Sequence, residues 1–161
     1  LLSGGGHERG MRSGTENVAA IVGFGAACEF AQQELRARAT SAAQLRERLE
    51  RGLHSQRAVI FGESAARIPN TTYFALRGIE GETLVVELDK AGYAVAAGAA
   101  CSSANPEPSA TLLAMGIAPD VARGAVRVSI GNGNTVNDIE GFLATLAKTA
   151  ARLRGMTALT A

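Results

Sequence analysis

The sequence lacks the features that would mark a disulfide-stapled, metal-binding or membrane-spanning protein. It has two cysteines, Cys28 and Cys101, with neither a CxxC pair nor a histidine at zinc-ligand spacing, so we expect no disulfide framework and no metal site. Such sparing use of cysteine is typical of the reducing cytoplasm. No apolar run reaches the length of a membrane span. The net charge of +1 gives no strong attraction to nucleic acid or to a membrane surface.

Tryptophan is absent too, but the rest of the composition is that of an ordinary globular domain. Of the 161 residues, 47% are hydrophobic and 19% are charged, which is enough to form a real core. Residues 16–54 carry apolar side chains at helical spacing and predict a long helix, with Leu45, Leu49 and Leu53 on its packed face. We expect a break in this helix at residues 39–41, and we expect Cys28 to be buried and inert within it.

The pattern changes near residue 56 from long helices to short strands mixed with helices. Strands are predicted at residues 58–61, 71–76, 93–97 and 125–130. Helices are predicted at residues 81–90, 110–116 and 119–124, and a last helix follows a capping pair formed by Thr135 and Asp138. This order predicts an α/β chain with an α+β small domain, in which a mixed or antiparallel sheet is covered on one face by helices.

Cys101 stands in a segment of small and turn-forming residues, GAACSSANPEPS at 98–109. A free cysteine usually prefers the core, but this one has few bulky neighbours in sequence to bury it. An accessible loop is where a nucleophilic thiolate is expected, because it must reach its target. The residues alone leave two interpretations open, a reactive cysteine and a loop cysteine without a role.

Two other side chains are candidates for binding an anion. Arg127 lies in an alternating strand, and a guanidinium forks onto a carboxylate or phosphate; a surface arginine is the ordinary alternative. Thr15 follows a glycine-rich stretch and precedes the long helix, where a hydroxyl can bind an anion together with free N–H groups, or simply cap the helix. Composition and spacing give candidates here, but no reaction.

Five motifs, taken together, resemble one enzyme family. They are GGGHERGMRSGTEN at 4–17, RIPN at 67–70, EGE at 80–82, GAACSSA at 98–104 and RVSIG at 127–131. In order and spacing they are similar to the pyridoxal-phosphate-dependent cysteine desulfurases of iron–sulfur cluster assembly, in the class V aminotransferase family. The resemblance runs from about residue 3 to residue 145.

The resemblance implies the C-terminal part of a fold-type I aminotransferase. Residues 1–15 would end the large cofactor domain, residues 16–55 would form linking helices, and residues 56–161 would form the small domain. The implied reaction converts L-cysteine to L-alanine with pyridoxal 5'-phosphate as cofactor. The sulfur passes through an enzyme persulfide to an acceptor protein such as an iron–sulfur scaffold.

The resemblance also implies a role for individual residues. Cys101 would be the nucleophile that carries the persulfide, and Arg127 would hold the substrate carboxylate. Asn70 would lie near the substrate. Thr15 would reach the cofactor phosphate of the other subunit in a homodimer.

The sequence departs from the family pattern in two places. The family's Schiff-base lysine lies in a Ser-x-His-Lys context, whereas Lys90 and Lys148 are the two lysines here and neither has that context. We therefore expect this chain to be part of a longer enzyme and to be inactive alone. Ala110 stands where the family commonly has a histidine, which leaves the branch and the sulfur acceptor open.

Two other functions remain open at this stage. One is a non-catalytic module that docks acceptor proteins and carries a persulfide made elsewhere. The other is a selenocysteine lyase-like enzyme, which has the same fold and also uses a loop cysteine. The upstream lysine distinguishes an enzyme from the module.

Overall fold

A computed structural model describes residues 4–98 and 108–158, with only the backbone described for residues 157 and 158. Contacts divide the chain into two units, Leu1–Ala37 and Arg38–Ala161, and each unit is described by itself. Among the described residues, none of the helices combines the length and the apolar character that crossing a membrane requires. Cys101 lies outside the described residues.

The first unit contains a 3₁₀ turn, Glu8–Gly10, and the beginning of helix α1, Val18–Ser55. Cys28 is exposed there, so the expectation of a buried cysteine is wrong. The apolar side chains around it are also more than half exposed, among them Val18, Ile21, Val22, Phe24, Phe30 and Leu35. An apolar helix face is buried only when another element packs on it, and one short turn in this unit cannot supply that cover.

Helix α1 runs without interruption through residues 39–41, which contradicts the predicted break. Alanine is the best helix former, and threonine and serine lower helix propensity by only a fraction of a kcal/mol. Neither glycine nor proline stands at these positions, so nothing there forces the backbone out of the helix.

The second unit is built around a four-stranded antiparallel sheet with the order β1-β2-β4-β3. The strands are β1 Val59–Ile60, β2 Thr71–Ala75, β3 Ala96–Ala97 and β4 Ala125–Ser129. The helices are α2 Gly81–Lys90, α3 Ala110–Ala114, α4 Pro119–Arg123 and α5 Val136–Ala158. β3 is shorter than predicted because the Tyr93 N–H donates to the Leu88 carbonyl at 2.9 Å and closes the end of α2.

The larger core lies on one face of this sheet, against α1, α2 and α5. Its members include Leu49 and Leu53 from α1, Leu84 and Leu88 from α2, Phe74 and Val126 from the sheet, and Phe142 and Leu146 from α5. The predicted cap of α5 is confirmed: the Thr135 N–H donates to an Asp138 carboxylate oxygen at 2.7 Å, and the Asp138 N–H donates to the Thr135 hydroxyl at 3.3 Å.

A smaller core lies on the opposite face of the sheet, against the short helices α3 and α4. Ala75 and Ala125 contribute from the strands, and Leu112, Val121 and Ala122 contribute from the helices. The helical cover is therefore not confined to one face. The alternation of the strands places Arg127 on the same face as this smaller core.

Candidate functional site

Arg127 lies at the centre of the sheet, with a strand on each side. It is opposite Tyr73 of β2 and Ala96 of β3. Its neighbours along β4, Val126 and Val128, are buried in the larger core, whereas Arg127 itself is exposed on the other face. The guanidinium is thus held on a rigid strand and open to a carboxylate, which it could bind through two parallel hydrogen bonds.

Tyr73 is the aromatic side chain beside Arg127. It is half-buried, and its ring packs edge-on against Phe61 with the centroids 5.2 Å apart and the planes at 68°. Burial raises the pKa of Tyr73, opposed by a hydrogen bond with the Ser109 side chain and by the charge of Arg127. Tyr73 is therefore a neutral hydroxyl near pH 7, able to donate and to accept hydrogen bonds.

Gly98 lies against the Tyr73 side chain. A Cβ on Gly98 would lie 2.5 Å from the Tyr73 hydroxyl oxygen and 2.8 Å from the Ala125 Cβ, so only glycine fits there without a shift. Ser109 is the N-cap residue of α3 and opposes the rise in the pKa of Tyr73. Sequence reasoning gave no role to Tyr73, Gly98 or Ser109, because their positions relative to one another depend on the register of β2 against β4.

Asn70 immediately precedes β2, and its carbonyl accepts the Ile130 N–H at 2.8 Å. The buried carboxylate of Glu50 holds the segment that leads to Asn70. Arg67 binds Glu50 with two hydrogen bonds, of 2.7 and 3.2 Å, and the Thr72 hydroxyl donates to Glu50 at 2.9 Å. Asn70 thus lies three residues before Tyr73, which is the partner of Arg127 in the ladder.

The charge of Glu50 is maintained by these partners. Burial raises the pKa of Glu50, but the hydrogen bonds from Arg67 and Thr72 and the charges of Arg67 and Arg46 together bring it below its ordinary value. Arg46 also donates to the Ile68 carbonyl at 2.7 Å. The backbone leading to Asn70 is therefore tied to α1 through two arginines.

Thr15 belongs to the first unit and is exposed. It does not cap α1, because the Asn17 side-chain oxygen accepts the Ala20 N–H at 3.1 Å. Arg12 holds the backbone just before Thr15 by donating to the Ser13 and Gly14 carbonyls at 3.1 and 3.0 Å. An exposed hydroxyl beside a helix N-terminus suits a phosphate oxygen.

Neither of the two lysines lies on the face of the sheet that carries Arg127. Lys90 is on α2 and pairs with Glu87 at 2.8 Å. Lys148 is exposed on α5. Both helices cover the face of the sheet opposite to Arg127. Neither lysine is therefore placed to act together with Arg127.

The sequence profile of the family described as aminotransferase class-V matches residues 5–142. The match covers most of the chain and both units. The chain therefore belongs to the class-V aminotransferase family, and the resemblance seen in its motifs is confirmed at that level.

Within this family, the chain is similar to cysteine desulfurases. It is 40% identical over 159 residues to the cysteine desulfurase of Gluconacetobacter diazotrophicus, covering 98% of this chain and 40% of that protein. It is 40% identical over 163 residues to the cysteine desulfurase IscS of Clostridium botulinum, covering 99% of this chain and 41% of the relative. A solved NifS-like protein superposes with a TM-score of 0.80 at 34% identity, over 94% of this chain and 38% of that one.

These coverages have a direct consequence for interpretation. The chain spans about 40% of the length of the curated relatives it matches. The fold is thus that of part of a NifS-like enzyme.

Proposed function

We propose that this chain is the sulfur-accepting part of a cysteine desulfurase, which converts L-cysteine to L-alanine and forms a persulfide on Cys101. The observation that supports the proposal is the position of Arg127, exposed on a central strand beside Tyr73. Gly98, which precedes the Cys101 segment, lies against that same tyrosine. We therefore propose that the segment bearing Cys101 serves a substrate held by Arg127.

In this proposal, Arg127 binds and orients the amino acid through its carboxylate. The thiolate of Cys101 attacks the sulfur of the substrate. An S–S bond forms as the substrate's Cβ–S bond breaks, and the electron pair of the broken bond stays with the substrate carbon, which takes up a proton to give alanine. The cysteine of the protein is oxidised to the persulfide, the substrate carbon is reduced, and no further oxidant or reductant is consumed.

Pyridoxal 5'-phosphate supplies the electron sink that such a reaction needs. Of the residues in this chain, Thr15 is proposed to bind its phosphate, from the other subunit of a homodimer, and Asn70 to lie near the substrate. The lysine that anchors the cofactor is expected outside this chain, which predicts that the 161-residue chain alone is inactive.

The proposal also includes the location of the enzyme and the protein that accepts its sulfur. We expect a cytoplasmic protein that hands its sulfur to an acceptor such as an iron–sulfur scaffold. Sedimentation equilibrium of the complete enzyme tests the homodimer: a mass of two chains is expected, and a monomer would remove the role of Thr15 across the subunits.

The experiment compares two cysteine variants of the complete enzyme, assayed for alanine and for sulfide in the presence of a reductant. Cys101→Ser is expected to abolish both products while leaving cofactor absorbance intact, since only the sulfur acceptor is lost. Cys28→Ser is the matched control, because Cys28 is a free, exposed thiol, and it should retain full activity.

Other outcomes would identify the competing functions. Persulfide that reaches Cys101 only from another protein would indicate a carrier module. Turnover of selenocysteine with no turnover of cysteine would indicate a selenocysteine lyase-like enzyme. Full activity in Cys101→Ser would contradict the proposed acceptor.

A further inference from the structure

Two hydroxyl groups lie beside Arg127 on the face of the sheet that carries the smaller core. Thr71 is opposite Ser129 in the ladder between β2 and β4, and Tyr73, two residues further along β2, is opposite Arg127. Because side chains alternate between the two faces of a strand, Thr71 and Ser129 share the face of Arg127. We call these two residues the hydroxyl pair.

The backbone bonds of the ladder bring the two side chains of the hydroxyl pair close together. The Asn70 carbonyl accepts the Ile130 N–H at 2.8 Å, so the backbone of Asn70 bonds toward β4. Thr71, the next residue, therefore directs its own backbone groups away from β4, and it forms a non-hydrogen-bonded pair with Ser129. The Cβ atoms of such a pair lie about 5 Å apart, which lets both hydroxyls reach one carboxylate.

The fold does not use either hydroxyl of the pair. Among the described residues, neither hydroxyl has a hydrogen-bond partner. Thr72, which follows Thr71, differs in this respect, because its hydroxyl donates to Glu50 at 2.9 Å on the other face of the sheet. Ser129 is exposed and Thr71 is half-buried. Both hydroxyls of the pair are therefore able to donate to a ligand.

The hydroxyl pair lies on the open side of Arg127. In the other direction along the two strands are Ala125 and Ala75, each 0% exposed and packed under the short helices of the smaller core. In the direction of the pair, Ser129 is exposed like Arg127 itself. The two residues are two positions apart on one strand, a separation of about 7 Å between Cα atoms. A carboxylate that approaches Arg127 from solvent thus arrives beside the pair.

We propose that Thr71 and Ser129 bind the substrate carboxylate together with Arg127. The proposal rests on the proposed function, in which Arg127 binds the carboxylate of L-cysteine, and it adds two substrate-binding residues to that site. A carboxylate has about four acceptor positions on its two oxygens, so it can accept the two bonds of a guanidinium fork and two more from hydroxyls. A ligand without this negative charge would gain little from the pair.

The first test measures the binding of L-alanine to the complete enzyme by isothermal titration calorimetry, since L-alanine has the carboxylate but no sulfur. Ser129→Ala and Thr71→Val are each expected to raise the Kd about tenfold, the size expected for loss of one hydrogen bond to a charged group. Thr83→Val is the matched control and should leave the Kd unchanged, because Thr83 is exposed on α2, which packs on the other face of the sheet. An unchanged Kd in either variant of the pair, or an equal rise in Thr83→Val, would overturn the inference.

The second test separates recognition of the carboxylate from a general distortion of the site. L-alaninamide has a neutral amide in place of the carboxylate, so neither substitution should weaken its binding more than about twofold. The same tenfold loss for L-alanine and L-alaninamide would overturn the inference.

Steady-state kinetics with L-cysteine distinguish this inference from the proposed function. KM should rise about tenfold in each variant of the pair with kcat nearly unchanged, because a binding contact is lost and the reacting groups are not. If the wild-type enzyme binds L-alanine but forms none from L-cysteine, the proposed function fails while the carboxylate site remains. If the wild-type enzyme is active and KM is unchanged in both variants, the inference fails alone.

Discussion

The two faces of the sheet differ in size and in what they leave exposed. One face is covered by α1, α2 and α5, and its core holds the fully buried Leu49, Leu84 and Phe74. The other face is covered by two five-residue helices, and beside that cover it exposes Arg127. The same strands build both faces, since β2 and β4 send alternate side chains to each.

The difference indicates a division of labour. Apolar burial on the larger face stabilises the fold, in proportion to the area removed from water. On the smaller face, the guanidinium of Arg127 lies opposite Tyr73, and the Tyr73 hydroxyl lies against Gly98, where a larger residue would force a shift. The proposed substrate-binding arginine thus lies on the less covered face of strands whose other face is packed in the larger core.

The largest effect that would test this division is the loss of a leucine from each core. Leu49→Ala and Leu112→Ala remove the same atoms from side chains that are 0% and 1% exposed. We expect a loss of about 4 kcal/mol in the free energy of unfolding for Leu49 and about 2.5 kcal/mol for Leu112, because the smaller cluster can collapse around its cavity more easily. Urea unfolding of the 161-residue chain measures both.

Equal costs for the two variants, or a larger cost for Leu112→Ala, would contradict the division. Val86→Ala is the control, because Val86 is 52% exposed on α2. It should change the free energy of unfolding by less than about 0.5 kcal/mol.

The next effect concerns substrate binding on the smaller face. In the complete enzyme, Arg127→Ala should raise KM for cysteine by about 30-fold or more, which corresponds to roughly 2 kcal/mol of charge-assisted binding. Steady-state kinetics measure it, and Arg77→Ala, at another exposed arginine, is the control. An unchanged KM in Arg127→Ala would remove Arg127 from the proposed site.

The contacts that Glu50 makes with Arg67 and Thr72 predict that stability depends on pH. The pKa of Glu50 is lowered in the folded state, since the hydrogen bonds from Arg67 and Thr72 outweigh its burial. The carboxylate therefore contributes stability above its unfolded pKa, and that contribution is lost as the pH falls through the folded pKa. Glu50→Gln should lower the free energy of unfolding at pH 7 by about 2 kcal/mol, measured by urea titration.

Comparing the free energies of unfolding of wild type and Glu50→Gln at acid pH tests the direction of this pH dependence. The gap between wild type and Glu50→Gln should shrink steadily below about pH 4, the ordinary range of a glutamate. A gap that stays constant down to pH 3, or that widens, would show that Glu50 is not the group responsible. Glu82→Gln is a suitable control, because Glu82 is exposed on the same unit.

The smallest effect is expected from the exposed cysteine. Cys28→Ser should change the free energy of unfolding of the 161-residue chain by less than about 0.5 kcal/mol, because the side chain is exposed. A cost of several kcal/mol, measured in the same urea titration, would mean that Cys28 is packed after all.

Much of the fold followed from local patterns. Helix α2 begins and ends at Gly81 and Lys90, as predicted, because its apolar spacing and its glycine turn agree with each other. The cap of α5 could likewise be predicted from Thr135 and Asp138. The break expected at residues 39–41 was wrong because weak helix formers inside a long helix do not end it.

The site was less accessible to sequence reasoning. Arg127 was a candidate by its chemistry, but its neighbour Tyr73 emerges only when β2 is placed in register with β4. The burial of Cys28 was predicted from a helical pattern, which says that a face is apolar and not what covers it. The roles of Cys101, Asn70 and Thr15 stay predictions, drawn from motif resemblance.

The most direct test of the proposed function is peptide mapping by mass spectrometry after the complete enzyme has been incubated with L-cysteine and then alkylated. The account predicts one additional sulfur atom on the peptide that contains Cys101 and none on the peptide that contains Cys28. Additional sulfur on Cys28, or on neither peptide while alanine accumulates, would contradict it.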